Sequence, residues 1–419
     1  MTQTYKYLHF VKNSTFLLWD IKRYFMTQIA SSHTIVRLGD FIKEEGAKYN
    51  ISDKTKTYGI LGVNNHSGIF DAYEESGANI KQKYKKMQVG WIAYNPYRVN
   101  VGSIGMRKEE HHYEYISPAY VVFSCKEGLM PEYLFLLMKT DLFNKIIREN
   151  TTGSVRQNLN YSILSNLQIP LPSLEEQNKI VAAYNTTIAQ ADNLSQQAID
   201  IKTQIEEYLK DSLGIESSER QKHESGKIYF MHSSQIARWD VWNVVSSNYS
   251  GKYPLLSLQN IIKMQSGKFL PSKEQKEGEY NVYGGNGLTG THNKYCFSGK
   301  RIVIGRVGEY CGNVHLIEGN YWITDNALKV DKTIEDVTWE YLTIALIALN
   351  INQYRSISAQ PSISQTKILQ LQIPLPPLTI QNEIVDHISA LRAKQKHLQQ
   401  QASDLRTQAQ QQFVQTIFE

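Results

Sequence analysis

Three short stretches of this 419-residue chain carry residue types from which catalytic or metal sites are built. "NPYR" (95–98) places Asn-Pro before an aromatic residue. In the fuller order Asn-Pro-Pro-aromatic, the Asn side chain and a backbone carbonyl accept from the target amine during methyl transfer. Here the second proline is missing and no glycine-rich loop on a strand–helix unit precedes it, so the stretch reads as a turn. "EEHH" (109–112) has metal-binding side chains but no third ligand at helical or turn spacing. "GGNGLTG" (284–290) is glycine-rich but lacks the Lys-Ser/Thr of a phosphate loop, and no helical pattern follows it. No Asp…Glu-x-Lys nuclease cluster stands out either. The expected role is therefore binding, with no catalytic and no metal-ligating residue.

Binding chemistry is better represented. Base edges are read by Arg, Lys, Asn and Gln, while Lys, Arg and hydroxyl groups hold phosphates. The polar loop "GVNNHSGIFDAY" (62–73) aligns, at an offset of 220, with "VYGGNGLTGTHNKY" (282–295). Its expected base-reading residues are Asn64, Asn65 and His66, matched in the second loop by Tyr283, Asn286 and Lys294. The run "KQKYKK" (81–86) and the segment between Gly251 and Gly308, with nine Lys/Arg against three Glu, are basic patches within a chain of net charge only +5. They supply the expected phosphate contacts: Lys83, Lys85, Lys86, Arg98 and Arg107 in the first half, Lys268, Lys273 and Arg306 in the second. Trp19, Trp239 and the tyrosines read as packing residues.

The elements that must position these residues are written twice. "LQIPLPSLEEQNKIV" (167–181) and "LQIPLPPLTIQNEIV" (371–385) agree at 11 of 15 positions and lie 204 residues apart. At an offset of 220, "FVKNSTFLLWDI" (10–21) aligns with "FMHSSQIARWDV" (230–241), and "VRLGDFIK" (36–43) with "LSLQNIIK" (256–263). Two modules thus share their ends, and the first is 16 residues longer inside. Each reads as short strands with Gly/Asn turns, such as "RIVIGRVG" (301–308), followed by a helical passage, "PEYLFLLMKTDLFNKII" (131–147) or "WEYLTIALIALNINQY" (339–354). The prolines of "IPLP" force extended chain. A 4-3 apolar spacing then runs from Ile180 to Tyr208, and again from Ile384 to Ala409 in the same phase. It predicts two helices of about 60 Å that pair with each other along matching stripes. Whether Gln177-Asn178 and Gln381-Asn382 contact a partner or cap and pack the helix starts is open at this level; capping and packing is the expectation.

In this order the motifs resemble the specificity (S) subunit of type I restriction–modification enzymes. The residues that carry the likeness are "RWDV" (238–241), "GGNG" (284–287), "IVIGRVG" (302–308), "TDNALKV" (324–330) and the two "IPLP…L…QN.IV" junctions. The first module has "LWDI" (18–21) in place of the Arg-Trp-Asp opening. The resemblance implies an α+β fold: two similar target recognition domains separated by two long helices that pair as an antiparallel coiled coil with pseudo-two-fold symmetry. It implies domains at 1–172 and 216–377, with spacer helices at 173–215 and 378–419. It also implies a non-catalytic reader of a bipartite target in double-stranded DNA. Two modification (methyltransferase) subunits, which hold the S-adenosylmethionine, and restriction/translocase subunits would be its partners. No cofactor belongs to this chain. A coiled-coil adaptor joining two protein-binding modules, or the specificity subunit of a related type II system, is the alternative.

Composition agrees with a globular chain: 41% hydrophobic and 20% charged residues. No apolar run is long enough to span a membrane, and the N-terminal residues lack a signal-peptide pattern. The three scattered cysteines, Cys125, Cys296 and Cys311, suggest neither a disulfide framework nor a zinc ribbon, and the expected location is the cytoplasm.

Overall fold

The computed structural model describes residues 27, 29–65, 67–98, 102–150, 158–214, 251–271, 273–356 and 360–418. The two aligned module openings, with Trp19 and Trp239, and the reading-loop residue His66 lie outside the described residues. The chain divides into two units, Met1–Asn193 with Gln401–Glu419, and Leu194–Gln400.

In the first unit an antiparallel four-stranded sheet runs in the order Ile42–Glu44, Val121–Cys125, Ile92–Tyr94, Ile104–Met106. A second, mixed sheet of five strands contains the hairpin Thr57–Asn64/Gly68–Ser76, whose first strand pairs in parallel with Tyr115–Ile116. The second unit repeats the plan. Its four-stranded sheet runs Ile262–Ser266, Ala327–Thr333, Arg301–Gly305, Val314–Ile317. Its second sheet carries the hairpin Tyr280–Gly284/Gly287–His292, again with a parallel neighbour, Asn320–Ile323. The hairpin strands are 8 and 9 residues long in the first unit but 5 and 6 in the second, so part of the extra length of the first module lies there.

The repeat offsets read from the sequence appear as strand register. Ile35–Arg37 pairs antiparallel with Gln168–Pro170, and Leu255–Ser257 with Gln372–Pro374. Ile35↔Pro170 in one ladder corresponds to Leu255↔Pro374 in the other. Each "IPLP" is thus a short strand that closes its module, with Ile169 and Ile373 pointing into the core. The helical passages are broken where the sequence suggested continuity. The first splits into Pro131–Met138 and Asp141–Asn150, with Thr140 Oγ1 accepting from Phe143 N at 3.2 Å. The second ends at Ala348 and passes into a 3-10 turn, Ile351–Tyr354.

The long helices are Leu174–Leu213 and Leu378–Phe418. Ser173 starts the first with a capping box: Glu176 N donates to Ser173 Oγ at 3.3 Å, and Ser173 N donates to the Glu176 carboxylate at 3.0 Å. Gly214, at φ +62°, ends it in the left-handed conformation that favours glycine.

The two stripes meet antiparallel within each unit. In the first, the Phe413 ring lies 6.0 Å from Tyr184 and 6.1 Å from Tyr133 of the module, and Arg406 pairs with Asp192 at 2.8 Å. In the second, Ala198, Ile201 and Leu398 form a small core, and Tyr208 stacks on His387 at 3.9 Å. Gln395, a polar residue on the stripe, donates from Nε2 to the Ala198 carbonyl at 2.8 Å, which satisfies its amide inside the seam. Pairing between helices and packing on modules both occur, at different heights. Val181, Phe413 and Ile417 join the first module's core, and Leu209, Leu213, Ile384 and Ile388 join the second's. Each such side chain, once buried, contributes about 1.5–3 kcal/mol.

The duplicated Gln at each joint is a clamp. Gln177 is fully buried; its Oε1 accepts from Met130 N at 2.8 Å, and its Nε2 donates to Gly128 O and Pro172 O at 2.9 Å. Gln381 does the same with Thr338 N (3.0 Å), Asp336 O (2.7 Å) and Pro376 O (2.9 Å). A tyrosine completes each joint: Tyr133 donates to Pro170 O, and Tyr341 to Pro374 O. Both glutamines therefore pack the helix start onto the module. The neighbouring Asn178 and Asn382 are exposed, and Asn178 Nδ2 donates to Leu174 O of its own helix.

Candidate nucleic-acid interface

The two polar loops singled out in the sequence are the tips of the equivalent hairpins. In the first unit Asn64 ends one strand, and its Oδ1 accepts from Ser67 N at 2.6 Å, which folds the tip; Asn65 is exposed. Gly68 follows at φ +70°. The tip is pressed on the four-stranded sheet so closely that a Cβ on Gly105 would stand 2.2 Å from Ile69 N. In the second unit Gly284 pairs with Gly287, and Gly285-Asn286 make the turn, with Asn286 exposed and Gly287 at φ +83°. A Cβ on Gly305 would stand 2.2 Å from Gly285 O. Glycines thus let both tips rest on backbone, which holds their outward side chains in place.

His111 supports the first tip. Its Nε2 is 3.0 Å from Ile69 O, and its Nδ1 accepts from Lys108 N at 2.9 Å. With both ring nitrogens engaged, the "EEHH" stretch is a brace for the hairpin. Asn95 Oδ1 accepts from Tyr97 N at 3.0 Å, so "NPYR" is an Asx-type turn.

The basic residues divide sharply. Lys83 and Arg98 in the first unit, and Lys268, Lys273 and Lys294 in the second, are exposed. Arg306 is exposed too, with Nη1 donating to Ser266 Oγ at 3.1 Å. Two expected phosphate contacts are corrected by their placement. Lys85 is buried and donates to Tyr120 O at 2.8 Å; burial pulls its pKa below the ordinary lysine value. Arg107 donates from Nη1 to Met87 O at 2.7 Å and from Nη2 to His111 O at 3.4 Å, so its guanidinium fastens loop backbone. Lys86 is half-exposed but paired with Glu114 at 3.0 Å, and that hydrogen bond raises its pKa. Tyr283 is half-buried, edge-on to Tyr321 at 6.0 Å, and belongs to a small core with Phe297.

Lys85→Ala is expected to lower unfolding stability by about 1–3 kcal/mol, because the Tyr120 carbonyl loses its charged donor. Urea denaturation measures this directly.

One grouping of residues escaped sequence reasoning, although Arg306 within it was an expected phosphate contact. A cleft of about 320 Å³ in the second unit is lined by Arg306, Val307, Asp325, Asn326, Ser362, Ile363 and Ser364. It adjoins the hairpin tip, since Gly285 approaches both Val307 O and Asn326 O. Backbone bonds assemble it: Arg306 N to Asn326 O at 3.0 Å, and Ile363 N to Arg306 O at 2.9 Å. Its lining includes a guanidinium, a carboxylate, an amide and two hydroxyls, with Arg306 also donating to Ser266 Oγ and Ser364 Oγ accepting from Lys367 N. That set can match a base edge, which presents donors and acceptors side by side. The sequence signals were "IVIGRVG", which holds Arg306 and Val307, and "TDNALKV", which holds Asp325 and Asn326; neither hints that the two meet.

A family model described as the type I restriction modification DNA specificity domain matches residues 32–206 and 253–404. The chain belongs to that family. The specificity-domain match includes both hairpin tips and both joints. Among curated proteins, the chain is 32% identical over 127 residues to the type I restriction enzyme EcoprrI specificity subunit of Escherichia coli. It is 26% identical over 143 residues to a putative type I restriction enzyme specificity subunit of Haemophilus influenzae. These alignments cover 29% and 33% of this chain, and only 31% and 37% of the relatives' lengths. Two solved structures share the fold at low identity. One, from work on complex assembly and conformational transition of the type I R-M system, has a TM-score of 0.57 at 15% identity and covers 93% of this chain and 98% of that one. The other, the S subunit of a type I restriction–modification system from M. genitalium, has a TM-score of 0.50 at 16% identity, covering 93% and 96%. Among the described residues, no helix of this family member is long and apolar enough to cross a membrane.

Proposed function

We propose that this specificity subunit reads a split sequence in double-stranded DNA, one half with each module, and presents it to modification subunits that carry S-adenosylmethionine and methylate adenine. Restriction/translocase subunits complete the assembly. The chain itself does no chemistry, and the complex works in the cytoplasm. Two like hairpin tips, at one place in two like modules but bearing different side chains, support this most directly. Asn64 and Asn65 in the first unit, and Asn286 with Lys294 in the second, face bases in this reading, as do Asp325 and Asn326 in the cleft. Lys83, Arg98, Lys268, Lys273 and Arg306 hold phosphates. In this proposal the domain boundaries fall at the "IPLP" joints, and the helix length sets the number of unread bases.

Exchange of residues 36–150 for those of a relative with a different target is expected to change one half of the methylated sequence and leave the other half and the spacing intact. Genome-wide mapping of methylated adenines in a host carrying the chain and its modification partner reads both halves at once. A contiguous, unsplit motif would refute the two-module reading. Duplex binding that ignores sequence would favour an adaptor.

A further inference from the structure

Phe269 is 70% exposed, more than any other large apolar side chain among the described residues. Single exposed apolar residues are ordinary on protein surfaces and by themselves mean little. What distinguishes Phe269 is how firmly its loop is held. Gly267 N donates to Ala327 O at 3.1 Å and Lys268 N to Ile323 O at 2.8 Å, while Trp322 Nε1 donates to Lys268 O at 3.1 Å. Gly267 lies so close to the end of the strand Asn320–Ile323 that a Cβ there would stand 2.2 Å from Thr324 O. Beyond Phe269, Glu274 N closes on Pro271 O at 2.8 Å, and Lys276 N reaches His292 Nδ1 at 3.2 Å.

The loop is therefore tied at one end to the strand beside the hairpin and at the other to the hairpin itself. Thr324 N donates to Tyr283 O at 2.8 Å, so the same strand end that holds Gly267 also holds the base of the second tip. Phe269 stands next to the proposed reading face and is flanked by the exposed Lys268 and Lys273. Lys268 Nζ itself lies 5.6 Å from the Phe297 ring centroid. An exposed aromatic ring on a tethered loop that also carries exposed lysines suits a polyanion with an apolar interior: lysines meet phosphates and the ring meets bases. Backbone tied on both sides of Phe269 lowers the conformational freedom lost on binding, which favours affinity.

We infer that Phe269 makes an apolar contact with the bases of the half-site read by the second unit. This rests on the DNA-reading role proposed above. The test uses the full chain in complex with its modification subunits, and duplexes carrying the sequence that the complex methylates. Phe269→Ala is expected to weaken binding about tenfold or more. The slope of log affinity against log salt should not change, because an apolar contact releases no counterions. Lys268→Ala should instead reduce that slope by about one, and Phe269→Leu should retain part of the affinity. Equal affinity for Phe269→Ala and wild type would overturn the inference. So would a weakened complex with the modification subunits in the absence of DNA, which would assign the ring to a protein contact. If the wild-type complex shows no preference for its methylated sequence, the DNA-reading role itself fails. If it shows that preference and Phe269→Ala changes nothing, only the role of Phe269 fails.

Discussion

Gln381→Leu is expected to destabilise the second unit by about 3 kcal/mol or more, read as a lowered midpoint in urea unfolding. Leucine is close to glutamine in size, so no large cavity forms and the loss is electrostatic. Three backbone groups would lose their partner at once: Thr338 N, Asp336 O and Pro376 O. The side chain is fully buried, so water cannot replace it without prising the helix start from the module. Thr338 is also the N-cap of the helix Trp339–Ala348, with its hydroxyl accepting from Tyr341 N at 3.2 Å, and the damage extends into that cap. Gln177→Leu should do the same in the first unit through Met130 N, Gly128 O and Pro172 O. Asn178→Leu is the control: an exposed side chain bonded only to its own helix should move the midpoint little. Equal effects at Gln177 and Asn178 would show that the clamp does not hold the joint.

The second large effect concerns Phe413, whose ring is buried between Tyr133 and Tyr184. Phe413→Ala is expected to cost the first unit about 3–5 kcal/mol, the usual range for deleting a buried aromatic ring. Tyr133 is also the donor to Pro170 O, so the vacated space adjoins the residue that fastens the first "IPLP" strand. Amide hydrogen exchange should show faster opening of residues 131–138 and 180–184, with residues of the second unit protected as before. Phe413→Leu, which refills most of the volume, should cost well under half as much. Uniform acceleration of exchange through both units would contradict a local role for the ring.

The joints and helices were legible because they repeat. Two copies of one motif, together with two stripes in the same phase, specify strand, joint and helix by local rules alone. The offsets of 220 and 204 reappear in the register of the two closing ladders because each module begins and ends on the same pair of strands. The binding face was legible only in part. "KQKYKK" reads as a solvated basic run, yet its strand Tyr84–Lys86 lies inside a five-stranded sheet, where the Lys85 chain turns to a carbonyl 35 residues away in sequence. Arg107 was lost to the same cause, a nearby turn with carbonyls to satisfy. The cleft around Arg306 was invisible because residues 306, 325–326 and 362–364 meet only through tertiary hydrogen bonds. Turn chemistry is local and can be read; a constellation drawn from three distant segments cannot.

The first unit takes its core from two stretches far apart in sequence, with Phe413 and Ile417 packed among Tyr133, Leu134 and Ile169. The second unit lies wholly within residues 194–400. Synthesis on the ribosome runs from the N-terminus, so the module translated first is completed last. Its helix start emerges with the Tyr184 and Tyr133 rings lacking their Phe413 neighbour, and about two hundred further residues must follow before Phe413 arrives. Nascent first modules therefore present a sticky surface for that interval, and chaperone capture during translation should fall mainly on chains that have passed residue 184 but not yet residue 413.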